Sequence, residues 1–273
     1  MGKPSCVILV TNDDGIAAAG LAALAEALDA LGQVYVVAPD RERSTVGHSL
    51  TLHRPLRVER VGERRFAVNG MPADCVNLGL LGLLPTPPSL VVSGINHGAN
   101  LGDDVTYSGT VSAAMEGTLL EVPSVAISLV GGGEAKGESD AFDEAAKMAC
   151  VISARVLAEG LPPKTLLNVN VPHGRPKGVR LTRLGQRVYK EKVVEEVDPR
   201  GKTYYWIGAG PPIWDDAEST DIAAIHERCV SVTPLHLDLT HYEALARLAS
   251  WPDALTAQLQ SRASRRAPRR GRQ

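Results

Sequence analysis

Two adjacent acids, Asp13 and Asp14, stand just beyond the apolar run Cys6 to Val10, with only Thr11 and Asn12 between. Along an extended strand they would point to opposite faces, but Gly15 permits a turn on which both converge. Two carboxylates held about 4 Å apart without a cation repel by about 4 kcal/mol at an effective dielectric near 20, and one tends to stay protonated. A divalent ion removes that conflict. Ser44 and Asn96, oxygen donors in two other polar stretches, favour a hard ion such as Mg2+ or Mn2+ over zinc, whose sites prefer Cys and His. The plainer reading of Asp-Asp-Gly is a turn or helix cap; its place at a strand end weighs against that.

Three polar stretches directly follow strand-like apolar runs: TNDDG from Thr11, PDRERSTVGHS from Pro39 and SGINHGANLGDDVTYSGT from Ser93. In an open parallel sheet all three open on one edge, where ligands bind. Ser108, Gly109 and Thr110 stand at the start of a helical stretch. Its free N–H groups and dipole attract an anion such as phosphate, unless these residues only cap it. Gly94, Gly98, Gly102 and Gly109 predict a loop from 94 to 109 whose backbone can approach a ligand closely. His48 and His97 lie in the same stretches, where a histidine moves a proton near neutral pH or merely holds a loop. Neither a Walker sequence nor GxGxxG follows the first strand, which argues against P-loop ATP hydrolysis and dinucleotide binding.

The elements that must position these residues are legible in the hydrophobic pattern. The stretch GLAALAEALDALG puts Leu21, Leu24 and Leu28 at helical spacing with Ala25, and Gly32 ends the helix before the strand Val34 to Ala38, completing a βαβ unit. A second unit starts at Leu90 with SLVVSG, continues through the helical TVSAAMEGTLL and ends in the strand SVAISLV. After a Gly-rich loop at 131–140, a helix is expected over Ala141 to Ala158 and a strand over Leu166 to Val171. Such alternation predicts an α/β protein with a Rossmann-like, doubly wound, mostly parallel sheet and right-handed crossovers. From about residue 178 short alternating stretches, split by the turn DPRG at Asp198 to Gly201, predict an antiparallel hairpin extension. An arm that small cannot bury its own Tyr204 and Trp206, so a partner subunit is expected. One domain over 1–250 is thus predicted, with a core about 5–177 and an arm about 178–240. The Arg-rich stretch 254–273 reads as a solvated, disordered tail.

The chain has 273 residues, 44% of them hydrophobic, enough for a full core. A formal charge of −2 and a pI near 6.4 leave no broad positive field, so nucleic acid is not the expected partner. No apolar stretch is long enough to span a membrane, and the first apolar run is short for a signal peptide. Cys6, Cys75, Cys150 and Cys229 are too dispersed for a zinc site or disulfide framework, which predicts reduced thiols and a cytoplasmic location.

These motifs resemble the SurE family, the survival-protein nucleotidases, whose hallmarks are NDDG, APDxxRS, SGINxGxNLGxDxxYSGTVxAAMEG and TDxxA with SxTPL. They read here as Asn12 to Gly15, Ala38 to Ser44, Ser93 to Gly117, Thr220 to Ala224 and Ser231 to Leu235, so the resemblance covers most of residues 7–240. It implies one divalent metal per subunit on Asp13, Asp14, Ser44 and Asn96. It also implies exchange of C-terminal elements in a homodimer or tetramer, and a phosphoric monoester hydrolase acting on nucleoside 5'- and 3'-monophosphates, sometimes on short polyphosphate. Ala19, Thr45, Met71 and the pair Arg228–Cys229 depart from the family pattern, and none is a metal ligand. On this reading Asn100, Ser108, Gly109 and Thr110 hold the phosphate and His48 transfers the proton, with Asp13, Asp14 and Asn96 completing the catalytic set. A haloacid-dehalogenase-type mechanism would need a nucleophile where Asn12 stands, and an amide cannot form an aspartyl-phosphate. The remaining rival is a non-catalytic nucleotide-binding protein on the same fold.

Overall fold

The structure, a computed structural model, describes residues 6–131, 139–188, 193–207, 213–215 and 217–266. Its strands are β1 (Val7–Thr11), β2 (Gln33–Pro39), β3 (Val58–Gly62), β4 (Arg65–Val68), β5 (Leu90–His97), β6 (Ser124–Val130), β7 (Thr165–Pro172), β8 (Val179–Leu181), β9 (Gln186–Val188), β10 (Val194–Val197), β11 (Thr203–Trp206), β12 (Ile213–Asp215) and β13 (Val230–His236). The helices are α1 (Ala19–Leu28), α2 (Pro72–Leu78), α3 (Gly109–Leu119), α4 (Asp143–Glu159), α5 (Asp221–His226), α6 (Tyr242–Arg247) and α7 (Trp251–Arg266).

A nine-stranded sheet in the order β3-β4-β2-β1-β5-β6-β7-β13-β8 carries the fold. Its centre, from β4 through β2, β1, β5 and β6 to β7, is parallel, as expected of a doubly wound α/β protein. Strand β1 is buried at all five positions, which is why it reads as a continuous β-branched run instead of an alternating one. Its successive side chains enter different layers. Ile8 and Val10 join Leu21, Leu24 and Leu28 of α1 and Ala145 and Ala149 of α4, while Leu9 packs with Cys75 and Val76 of α2 and Ala113 of α3. Each buried α1 leucine contributes about 1.5–3 kcal/mol over an exposed one. From β1 the chain winds one way to β2 and, after the crossover, the other way through β5, β6 and β7. The direction reverses between β1 and β5, and a crevice opens at their carboxyl ends, where Thr11 pairs with Ser93.

Several expectations differ from what is observed. The segment 94–109 is not loop throughout, because β5 runs on to His97. Gly94, at φ +139, lets β5 approach β6 so closely that a Cβ there would lie 2.3 Å from the Ile127 carbonyl oxygen. Strand β8 is not part of an antiparallel arm but pairs parallel with β13 at the edge of the main sheet. The hairpin itself is β10–β11, closed by Asp198, whose Oδ1 accepts the N–H groups of Arg200 (2.8 Å) and Lys202 (2.9 Å). Part of the expected arm, 189–192, and most of the expected loop, 132–138, lie outside the described residues. One compact unit ends at Leu237 and a second begins at Asp238, earlier than the boundary expected near 250. Within that second unit residues 254–266 continue helix α7. Pro252 and Asp253 in its first turn, followed by Ala, Leu and Gln, favour helix more than the arginines oppose it. Residues 267–273 lie outside the described residues. Among the described residues no helix is long and apolar enough to cross a membrane.

Candidate functional site

At the crevice Asn12 shapes the turn that brings the two acids together. Its Nδ2 donates to the Gly15 carbonyl at 3.1 Å and its Oδ1 accepts the Gly15 N–H at 3.2 Å. Gly15 sits at φ +99, and a Cβ there would meet the Arg41 backbone at 2.9 Å. Asp13 is only 6% exposed. Burial pushes its carboxyl from 3.8 to about 6; hydrogen bonds from the Thr110 hydroxyl oppose the rise and the Asp14 charge adds to it. Asp14 is raised as well, first by burial and then by the charge of Glu42, although the His97 backbone N–H, 3.4 Å from Oδ2, pulls it back.

The other expected ligands arrive from other strands. The loop after β2 is tied to the turn by the Arg43 N–H, which donates to the Asp13 carbonyl at 2.7 Å, and next to it Ser44 gives its hydroxyl proton to Glu42 at 2.7 Å. Asn96, near the end of β5, spends Nδ2 on the Gly98 carbonyl at 3.0 Å, so its oxygen is the atom left for a cation. Asp13, Asp14, Ser44 and Asn96 line one cleft of about 640 Å3, together with Asn100 and Ser108. Among the described residues neither aspartate has a lysine or arginine at ion-pair distance, and no cluster of three His, Cys, Asp or Glu side chains is placed to hold a metal. A buried and a half-buried carboxylate, both with raised proton affinity, beside neutral oxygens are a donor set that fits a hard divalent ion.

The residues expected to hold phosphate divide. Ser108 caps α3 by accepting the Val111 N–H at 3.0 Å and faces the cleft. Thr110 lies behind Asp13, to which its hydroxyl donates at 2.5 Å. Gly109 is fixed by the same contact, since a Cβ on it would come within 2.7 Å of Asp13 Cβ. The anion held at this helix end is therefore the protein's own carboxylate. Asn100 lines the cleft from a buried polar network: Ser128 accepts from its Nδ2 at 2.7 Å, Asn170 accepts its backbone N–H at 2.9 Å, and its carbonyl accepts Asn168 and Asn170. His48 is not brought to the cleft. Its Nε2 meets Glu116 Oε2 at 2.6 Å, while Asn77 binds the other oxygen, and this bond holds the Glu116 carboxyl below its usual range.

Glu42, Tyr107 and Phe142 also line the cleft and were not singled out from the sequence. Glu42 was within reach, lying inside a stretch already marked as polar; Phe142 gave no signal, because only the fold carries it there. Asp221, noted only as part of a motif, is fully buried and accepts the N–H groups of Gly102, Gly185 and Ile222. It ties the cleft loop at Gly102 to the segment after β8.

Fold and site define a doubly wound α/β protein with an acidic, oxygen-lined cleft at its topological switch point. The chain belongs to the SurE family, whose sequence model, described as Survival protein SurE, matches residues 8–191. It is 57% identical over 245 residues to the 5'-nucleotidase SurE of Syntrophotalea carbinolica, covering 90% of this chain and 97% of that protein. To the 5'-nucleotidase SurE of Coxiella burnetii it is 49% identical over 251 residues, covering 91% and 95%. The crystal structure of the SurE protein from Aquifex aeolicus matches with a TM-score of 0.80 at 48% identity, covering 90% of this chain and 99% of that one.

Proposed function

We propose that the chain is a metal-dependent phosphatase that hydrolyses nucleoside 5'- and 3'-monophosphates, with short polyphosphate as a further substrate. The observation that carries this reading is the adjacent pair at the switch point, buried Asp13 and half-buried Asp14, with raised proton affinity and, among the described residues, no lysine or arginine at ion-pair distance. In this reading Asp13, Asp14, Ser44 and Asn96 hold one Mg2+ or Mn2+. Bound there, the ion supplies a Lewis acid for phosphate oxygens and lowers the pKa of water. Thr110 and the start of α3 orient Asp13, and Asn100 and Ser108 orient the phosphate. His48, held by Glu116, acts as a clasp for the loop carrying Ser44 and not as the proton donor. The exposed Tyr204, Tyr205 and Trp206 of β11 support assembly into a homodimer or tetramer through the hairpin. A cytoplasmic location is consistent with four free thiols.

The test is phosphate release from AMP and its 3' isomer with Mg2+ or Mn2+, repeated with chelator. Turnover that chelation abolishes is expected; chelator-resistant turnover would refute the metal reading, and ligand binding without release would favour the non-catalytic alternative.

A further inference from the structure

The cleft is larger than a metal ion and a phosphate require. At about 640 Å3 it falls within the roughly 300–1,000 Å3 typical of sites that enclose a whole small organic molecule. Asp13, Asp14, Ser44, Asn96, Asn100 and Ser108 already have roles in it. Part of the remaining lining, Ala18, Ala19, Gly20 and Phe142, is apolar. Ala18, Ala19 and Gly20 form the start of α1, and the Phe142 ring packs so close to it that a Cβ on Gly20 would lie 3.0 Å from Phe142 Cε1. The His97 ring meets Phe142 edge-on, with centroids 6.3 Å apart and planes at 61°. Phe142 is buried at 8% exposure, whereas His97 is exposed, so the phenylalanine acts as a backstop and the imidazole as the open surface.

We propose that His97, braced by Phe142 on the wall formed with Ala18 to Gly20, seats the nucleobase of the substrate and sets the preference for nucleotides over simpler phosphate esters. This rests on the phosphatase reading above. His97 directly follows the proposed ligand Asn96, and its main chain is fixed by the N–H bond to Asp14. A flat ring is thereby held at the rim beside the reacting end. A T-shaped contact covers at most one face of the imidazole, which leaves the other for a base to stack on. Stacking on an aromatic surface tolerates any base, so the seat should discriminate the presence of a base more than its identity.

The experiment compares AMP with ribose 5-phosphate, which keeps the sugar and phosphate and lacks the base. The ratio of their kcat/KM values is measured for wild type, His97→Ala, His97→Phe and Tyr107→Ala. Wild type should favour AMP, His97→Ala should lower the ratio about ten-fold through the KM for AMP, and His97→Phe should stay within about two-fold of wild type. Tyr107, the other exposed aromatic residue of the cleft, should not affect the ratio. A ratio unchanged in His97→Ala overturns the proposal, as does a loss with His97→Phe equal to that with alanine, which would mean a proton and not a surface is needed. A fall confined to Tyr107→Ala overturns it too. Wild type inactive on both esters sinks the phosphatase reading itself; an active enzyme whose ratio ignores His97 sinks only the base seat.

Discussion

Replacing Asp13 by asparagine should make the metal-free protein more stable while removing its turnover. In the metal-free state the carboxyl is raised from 3.8 to about 6, mainly by burial. At about 1.4 kcal/mol per pH unit, holding it ionised in the fold costs roughly 3 kcal/mol. Because the folded value is the higher one, the native state binds the proton more tightly. The stabilising contribution is complete below about pH 4, declines as pH rises through about 6, and is absent above. Asparagine carries no charge at any pH and its Oδ1 can still accept the Thr110 hydroxyl, although the backbone bond at the start of α3 is weakened by about 1 kcal/mol. The net gain at pH 7.5 is then about 2 kcal/mol, on the order of 4–8 °C in Tm for a domain of this size. Thermal unfolding in chelator at pH 4.5 and 7.5 measures both the gain and its pH dependence; adding Mg2+ or Mn2+ should raise the wild-type Tm and leave the variant unmoved. A variant less stable than wild type at pH 7.5 in chelator, or one keeping the wild-type pH dependence, would refute the reasoning.

Asp221→Ala leaves three buried backbone N–H groups without an acceptor and should cost about 3–5 kcal/mol in urea denaturation, toward the low end because burying the carboxylate is itself costly. Gly109→Ala should reduce turnover at least about 100-fold in a steady-state assay, since the added methyl occupies space 2.7–2.8 Å from the Asp13 side chain and must displace the carboxylate. In His48→Ala the Glu116 carboxyl loses the bond that holds it below its usual value of 4.5. A depressed carboxyl stabilises above its unfolded value and that stability is lost as pH falls through the lower folded value, so the stability gap to wild type should be full above 4.5 and close as pH falls below it in acid unfolding followed by circular dichroism.

The centre of the fold could be read from the sequence because its strands are short, fully buried and flanked by helices of clear periodicity: β1, α1, β2 and β6 fall where their apolar residues place them. The meeting of Asp13, Asp14, Ser44 and Asn96 in one cleft was legible for a related reason, since each follows a predicted strand and parallel sheets present those ends together. What local pattern could not supply was partnership across the chain. Nothing near Val179 indicates that β8 joins β13, nothing near His48 announces Glu116, and Thr110 reads equally well as a phosphate contact or as a support for Asp13. The helix over 254–266 is hidden in the sequence because the arginines from Arg262 onward suggest a solvated tail, whereas the helix-forming Ala, Leu and Gln that precede them set the conformation.

The two neighbours of β1 are made at very different times. Strand β2 follows β1 after the single helix α1, but β5 leaves the ribosome only from Leu90 onward. Until then Val7–Thr11, apolar from Val7 to Val10, presents an unpaired strand edge, the kind of surface that recruits other chains. Chains terminated before Leu90 should therefore collect as insoluble or proteolysed product. Chains extended past His97 have already closed the middle of the sheet, and in doing so have brought Asn96 to the cleft that holds Asp13 and Asp14.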